Sequence, residues 1–160
     1  MKNILRLASI ILMLVLSLQM VHASAKPLSK REMLKHVPSK LGETKLVSKK
    51  YGAILPRSGN KHTLYLRYKD TNKHGVLELY ISDVSRDPDL LSEAKMIYGM
   101  EAEHGKGSKT PYVSKKNRDG STQLIYNYAN RLIINARSKT YHARKIWKLI
   151  RKIPFRRMLK

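Results

Sequence analysis

Residues 62–82 read HTLYLRYKDTNKHGVLELYIS, and their pattern decides the fold. Leu64 and Leu66 alternate with Tyr65 and Arg67, and Leu77, Leu79 and Ile81 alternate with Glu78 and Tyr80. Period-two alternation in two segments joined by Asp70-Thr71-Asn72-Lys73 predicts a half-buried antiparallel hairpin. With Lys69 opposite His74, Leu66 faces Leu77 and Leu64 faces Leu79. The other side then pairs Tyr65 with Glu78 and Arg67 with Val76. This register gathers all four leucines on one face, as a hairpin with one buried side requires.

Working outward, the segment before the hairpin offers a helix and two strands. SKREMLKHV (29–37) opens with Ser29 and carries Glu32 three residues later, the pattern of a capping box. Met33, Leu34 and Val37 form its apolar stripe, and Pro38 ends it. In LGETKLVSKKYGAILPRSG (41–59) the strand candidates are Lys45 to Ser48 and Tyr51 to Leu55, with Pro56, Ser58 and Gly59 as a turn.

After the hairpin a central helix is expected. Asp87 suits its N-cap, Pro88 its first turn and Asp89 its positive end, and Leu90, Leu91, Ala94, Ile97 and Tyr98 make its stripe. Gly105 and Gly107 stop it. PYVSKK (111–116) and STQLIYNY (121–128) read as strands around the turn NRDG, and RLIINAR (131–137) as another after Ala129-Asn130. In that pair Ile125, Leu132 and Ile134 are expected on one face, and Leu124, Tyr126 and Ile133 on the other. Apolar groups on both faces point to a central hairpin covered on both sides, the expectation taken here, or to a strand edge that meets a partner.

The last helix is read from about Thr140 to Ile153, ahead of Pro154. Ala143, Ile146, Trp147, Leu149, Ile150 and Ile153 fall within an arc of about 160° at helical spacing. Arg144, Lys145, Lys148, Arg151 and Lys152 fill the opposite side, and Arg156 and Arg157 follow. The expected architecture is therefore α+β. A mainly antiparallel sheet of about five to six strands carries an N-terminal, a central and a C-terminal helix packed on it.

This layout resembles small exported bacterial proteins of unknown function that share the PsbP-like α-β-α sandwich. The resemblance rests on VPSKLG (37–42), LELYISDVS (77–85) leading into a helix, the paired strands QLIYNYANRLIINARS (123–138) and the closing helix. It spans most of the chain after residue 25, and it implies no catalytic residue.

The first residues set the context. Lys2 and Arg6 precede an uncharged, mostly aliphatic run from Leu7 to Leu18, and Ala23-Ser24-Ala25 is a small-x-small site. Together they predict a signal peptide over residues 1–25, cut after Ala25 or Ala23. The apolar run falls short of the roughly 20 residues a membrane span needs. A single α+β domain over residues 26–160 is expected, in the periplasm or the medium of a bacterium. With no cysteine in the chain, neither a lipid-modified N-terminal cysteine nor a disulfide is available, so a packed core must hold the fold.

Charge points to the partner. Thirty-three Lys and Arg face eleven Asp and Glu, a formal net of +22. The acids gather between Asp70 and Glu103, and from His104 onward sixteen basic residues face Asp119 alone. Such a field draws polyanions and anionic surfaces whatever the fold.

Signals for chemistry are poor. His36, His62, His74, His104 and His142 make no HxH or HxxxH pair, so a metal site lacks its usual spacing. HGKGSK (104–109) lacks the spacing of a phosphate loop and follows a helix where such a loop follows a strand. Nothing in the sequence requires a cofactor. The reading is a non-enzymatic, monomeric or weakly associating binding protein. Its anionic partner would be envelope polymer, phospholipid head groups, nucleic acid or an acidic protein. The expected contacts are Arg144, Lys145, Lys148, Arg151, Lys152, Arg156 and Arg157. A hydrolase, most plausibly a nuclease near Glu101, Glu103 and His104, is the alternative, and a structural envelope component is a third. Nine tyrosines against one Phe and one Trp add a further signal, since Tyr65 beside Arg67 on the outer hairpin face suits stacking on a base or a sugar.

Overall fold

A computed structural model describes residues 26–54, 60–72, 74–87, 89–90, 92 and 112–160. Helix α1 (Lys30–Lys35) begins at the expected capping box: the Glu32 N–H donates to Ser29 Oγ and the Ser29 N–H donates to Glu32 Oε2. The two-residue strand β1 (Lys40–Leu41), a turn and the longer β2 (Thr44–Gly52) follow, and then the hairpin β3 (Thr63–Asp70) and β4 (Val76–Asp83). The chain continues with β5 (Val113–Lys116), β6 (Thr122–Tyr128) and β7 (Leu132–Ser138). It closes with α2 (Ala143–Ile150) and α3 (Phe155–Met158).

The expected layered α+β architecture is corrected. Among the described residues, seven strands form one antiparallel sheet in the order β1-β2-β3-β4-β7-β6-β5, curved into a half-barrel and accompanied by the three small helices α1, α2 and α3. A half-barrel curls its inner face around its own core, so short helical segments suffice to close it. The C-terminal helix is shorter than the expected Thr140 to Ile153. The backbone N–H groups of Thr140 and Tyr141 donate to Ser138 Oγ, which makes a turn of the residues where the helix was expected to begin. Of the central helix, Asp87 Oδ1 does accept the Leu90 N–H at 3.0 Å, the expected N-cap bond. Leu91, Ala94, Ile97 and Tyr98 lie outside the described residues.

The β3–β4 hairpin keeps its expected faces with a register two residues further on. Leu66 faces Leu79, Leu64 faces Ile81 and Arg67 faces Glu78. The Asp70 N–H still donates to Gly75 O, so pairing runs beyond Lys69, and Asp70 Oδ1 takes the Asn72 N–H in the turn. A shift of two leaves every side chain on its own side.

The β6–β7 hairpin differs in kind. Leu124 faces Ala136, Tyr126 faces Ile134 and Tyr128 faces Leu132, so these six share the inner face. Ile125 and Ile133 turn outward and pack with Val84 and Leu90. Ala129 and Asn130 are left-handed (φ 55° and 51°), and Arg131 is a third residue outside the pairing, its N–H donating to Tyr128 O. One residue more in the turn exchanges the two faces of one strand relative to the other. Both expected faces are covered, with the residues redistributed between them.

The inner face holds the core. Leu64, Leu66, Tyr68, Leu77, Leu79, Ile81, Leu124, Leu132, Ile134 and Ala136 have no exposed surface, and Met33 of α1, Ile146 and Ile150 of α2 and Phe155 and Met158 of α3 pack with them. A single strand, β2, takes in the first candidate after Leu41 and reaches only Tyr51 and Gly52 of the second, whose last residue, Leu55, lies outside the described residues. A β-bulge between Leu46 and Ser48 absorbs Val47, which is 55% exposed.

Candidate cationic site on the last helix

Helix α2 docks as its pattern requires. Ile146, Leu149 and Ile150 are buried, and Trp147 meets Tyr126 edge-on with ring centroids 4.9 Å apart and Tyr112 at 5.2 Å. Phe155 then covers Tyr128 at 5.6 Å. The tyrosine richness is thus largely structural. Tyr68 donates to Pro38 O, Tyr51 to Leu28 O and Tyr141 to Asp70 Oδ2, and burial pushes the Tyr68 phenol up and the Tyr141 phenol up to about 12.

The turn between β1 and β2 brings the sheet to the helix. Gly42 has φ +63°, the left-handed conformation that a two-residue hairpin loop needs. A Cβ on Gly42 would lie 3.2 Å from Leu149 Cδ2 and 3.5 Å from Lys152 Nζ. The absent side chain therefore lets α2 approach the turn closely.

Between turn and helix lies a cavity of about 480 Å³, lined by Gly42, Glu43, Lys145, Lys148, Leu149, Arg151 and Lys152. Four cations and one carboxylate surround it. Of the seven expected contact residues, Lys145, Lys148, Arg151 and Lys152 come together here. Arg144 is exposed on the same helix, and Arg156 and Arg157 are exposed on α3; these three do not line the cavity. Gly42 and Glu43 were missed in the sequence, where only the Gly-x turn ahead of a strand hints at them.

The electrostatics at the start of this helix are unfavourable taken alone, whereas Lys148 in its last turn stands where the dipole favours a cation. Its first turn has no acidic residue and its N-cap, His142, makes no side-chain capping bond. Arg144 and Lys145 stand at the end where the helix dipole repels cations. Arg144 and Lys148 stand four apart within the helix, with Lys152 just past its end, and like charges at that helical spacing oppose each other by roughly 0.2–0.5 kcal/mol per pair. Among the described residues the ion pairs are Arg131–Asp83 and Arg137–Asp119, and neither involves α2.

Those two pairs have other work. Burial alone would raise the pKa of Asp83. The Arg131 guanidinium and the N–H groups of Leu28 and Ser85 outweigh it and hold the carboxyl below its ordinary value. Arg131 also donates to Lys26 O at 2.8 Å, so this carboxylate ties the start of the described chain to the sheet. Asp119 is held down to about 2, first by the Ser121 hydroxyl and N–H and then by Arg137.

The histidines are scattered. His36 ends α1, His74 sits in the β3–β4 turn at φ 51° and His142 precedes α2. His62 borders a second cavity of about 220 Å³ with Asn60, Lys61, Asp83, Arg86 and Asp87. Tyr51 gives its single proton to Leu28 O, so the 2.9 Å contact with His62 is donated from Nδ1–H. No group of three or more His, Cys, Asp or Glu among the described residues is placed to hold a metal ion. Glu101, Glu103 and His104 lie outside the described residues. No helix among the described residues is long and apolar enough to cross a membrane. No protein-family model, no curated protein and no solved structure matches this chain.

Proposed function

We propose that this is an exported, non-enzymatic binding protein that holds the phosphate, carboxylate or sulfate groups of an anionic partner against α2. The observation that carries the reading is the cavity where Lys145, Lys148, Arg151 and Lys152 converge on the β1–β2 turn. The cations crowd one side of the helix, and an arriving anion relieves their mutual repulsion. A local rule broken without internal compensation is what a binding surface looks like. The fold does not need these cations, because the buried arc of α2 lies opposite them. Export rests on Lys2, Arg6, the apolar run to Leu18 and Ala23-Ser24-Ala25.

The test uses protein recovered from the native host, whose mass should begin at Lys26 or Ser24; an intact chain from Met1 removes export from the proposal. Its affinity for phosphatidylglycerol vesicles and for a carboxylate polymer is measured across a range of salt. The variant with Lys145, Lys148, Arg151 and Lys152 changed to Gln should bind at least about tenfold more weakly at low salt. The difference should shrink as screening grows. A control with Lys26, Lys30, Lys116 and Lys139, all exposed elsewhere, changed to Gln removes the same charge. Equal loss from both variants means that net charge alone binds, and no loss from the helix variant ends the reading. Vesicles and polymer compared at equal charge decide which source supplies the anionic group.

A further inference from the structure

The outer face of the sheet carries a second surface, on the side away from α2 and of different chemistry. Across adjacent strands Lys50 faces Tyr65, Tyr65 faces Tyr80 and Tyr80 faces Asn135. In the neighbouring row Arg67 faces Glu78, Glu78 faces Arg137 and Arg137 faces Gln123. The two tyrosine rings lie 5.1 Å apart, tilted by 49°, and both are half-buried. Lys50 and Arg67 beside them are exposed, while the guanidinium of Arg137 is already engaged by Asp119 and Ser121. Tyr65 donates to Glu78 Oε1 at 2.9 Å, which fixes its ring in place, and Gln123 Nε2 donates to Asn135 Oδ1 at 3.1 Å, which orders an amide pair beside Tyr80. The described chain does not use these tyrosines as it uses the others. Tyr51, Tyr68, Tyr112, Tyr126, Tyr128 and Tyr141 pack on or in the core cluster, and Tyr65 and Tyr80 do not.

We infer that this face binds single-stranded nucleic acid, with bases stacking on Tyr65 and Tyr80 and phosphates held by Lys50 and Arg67. Charge complementarity selects a polyanion. The paired rings select a polyanion with flat, unpaired groups, and the amides offer donors and acceptors to base edges. Aromatic rings on a sheet flanked by cations are the general solution for unpaired strands, because every base has a stacking face. A duplex buries those faces inside its own stack, and a sheet cannot enter it to reach them. The inference stands apart from the α2 reading, since no residue is shared.

The experiment compares the full protein with an oligothymidylate and with an abasic oligonucleotide of the same length, which carries the same phosphates without bases. The parent should prefer the base-bearing strand by roughly tenfold or more, the size of one stacking contact. Tyr65→Leu/Tyr80→Leu should lose that preference and keep its affinity for the abasic strand. Tyr65→Phe/Tyr80→Phe, which keeps both rings, should retain it. Photo-crosslinking of the parent to a halogenated-uridine strand should mark the peptides holding Tyr65 and Tyr80, a readout that needs no variant to fold. Equal affinity of the parent for both strands overturns the inference. So does crosslinking confined to α2, or displacement of the oligonucleotide by a sulfated glycan more readily than by unlabelled strand. The α2 glutamine variant should keep the preference for bases, so failure of one surface is told apart from failure of the other.

Discussion

The two faces of one hairpin differ as sharply as two proteins would. On β3, Leu64, Leu66 and Tyr68 have no exposed surface, and between them Tyr65 and Arg67 stand on the outside, half-buried and exposed. On β4, Leu77, Leu79 and Ile81 are buried while Glu78 and Tyr80 alternate with them, half-buried on the other face. The inner residues are fixed by volume, because each fills space that helices and neighbouring strands leave. The outer residues answer to no such demand. Their identity is therefore information about something other than the core, as is that of the cations on α2.

The comparison breaks first on the inner side. Leu66→Ala and Ile150→Ala remove side chains with no exposed surface, and each should cost about 2–5 kcal/mol in chemical denaturation. Arg67→Ala, one residue from Leu66 on the opposite face, should stay within about 0.5 kcal/mol. Equal effects at Leu66 and Arg67 would mean that the outer face is packed too, and the reading of it as a surface would fall.

An intermediate effect belongs to Asp83, an acid on the inner side. Its folded pKa lies below the ordinary 3.8, through Arg131 and two backbone N–H groups acting against burial. A group with a depressed folded pKa contributes stability that is complete above its unfolded pKa and is lost as pH falls through the folded one. The denaturation midpoint should therefore drop as pH is lowered below about 4, and Asp83→Asn should remove that part of the slope. Because Asp83 holds the Leu28 N–H and Arg131 holds Lys26 O, the protection of the Leu28 and Ser29 amides, taken relative to their intrinsic exchange rate at each pH, should fall over the same pH range. Unchanged protection there would separate the carboxylate from the N-terminal segment.

Parts of this contrast were legible in the sequence and parts were not. Alternation in residues 62–82 sorts inner from outer correctly, since a two-residue error in register preserves it. The same reasoning fails on β6 and β7, because nothing in Ala129-Asn130-Arg131 reveals that the turn takes three residues and not two. The bulge at Val47 is equally silent, since Val47 reads as an ordinary residue of the first strand candidate. Helix periodicity fared better: Ile146, Leu149 and Ile150 are buried, and the cations oppose them. The cavity was not legible, because it requires Gly42 and Glu43 to meet residues about a hundred positions later. Nor was the clasp at Asp83, whose partners Leu28 and Arg131 lie 55 and 48 residues away.

The smallest expected effect carries a sign that no packing argument gives. Lys148 is exposed on α2, with Arg144 and Lys145 four and three positions before it and Arg151 and Lys152 three and four after. Gln has nearly the helix propensity of Lys, so Lys148→Gln changes charge with little change in backbone preference. Each like-charge neighbour at these spacings opposes the helix by a few tenths of a kcal/mol at most. The helix dipole favours Lys148 in the last turn and offsets part of this repulsion, so removing the central charge should raise stability by at most about 0.5 kcal/mol at low ionic strength, seen as a higher denaturation midpoint without bound anion. Salt should erase the gain, because screening relieves the parent of the same repulsion. An added anion such as inorganic phosphate should stabilise the parent more than the variant, reversing their order, since a ligand that binds the native state shifts stability in its favour. If Lys148→Gln is destabilising at low salt, the charge is satisfied within the protein and the cations of α2 are not waiting for a partner.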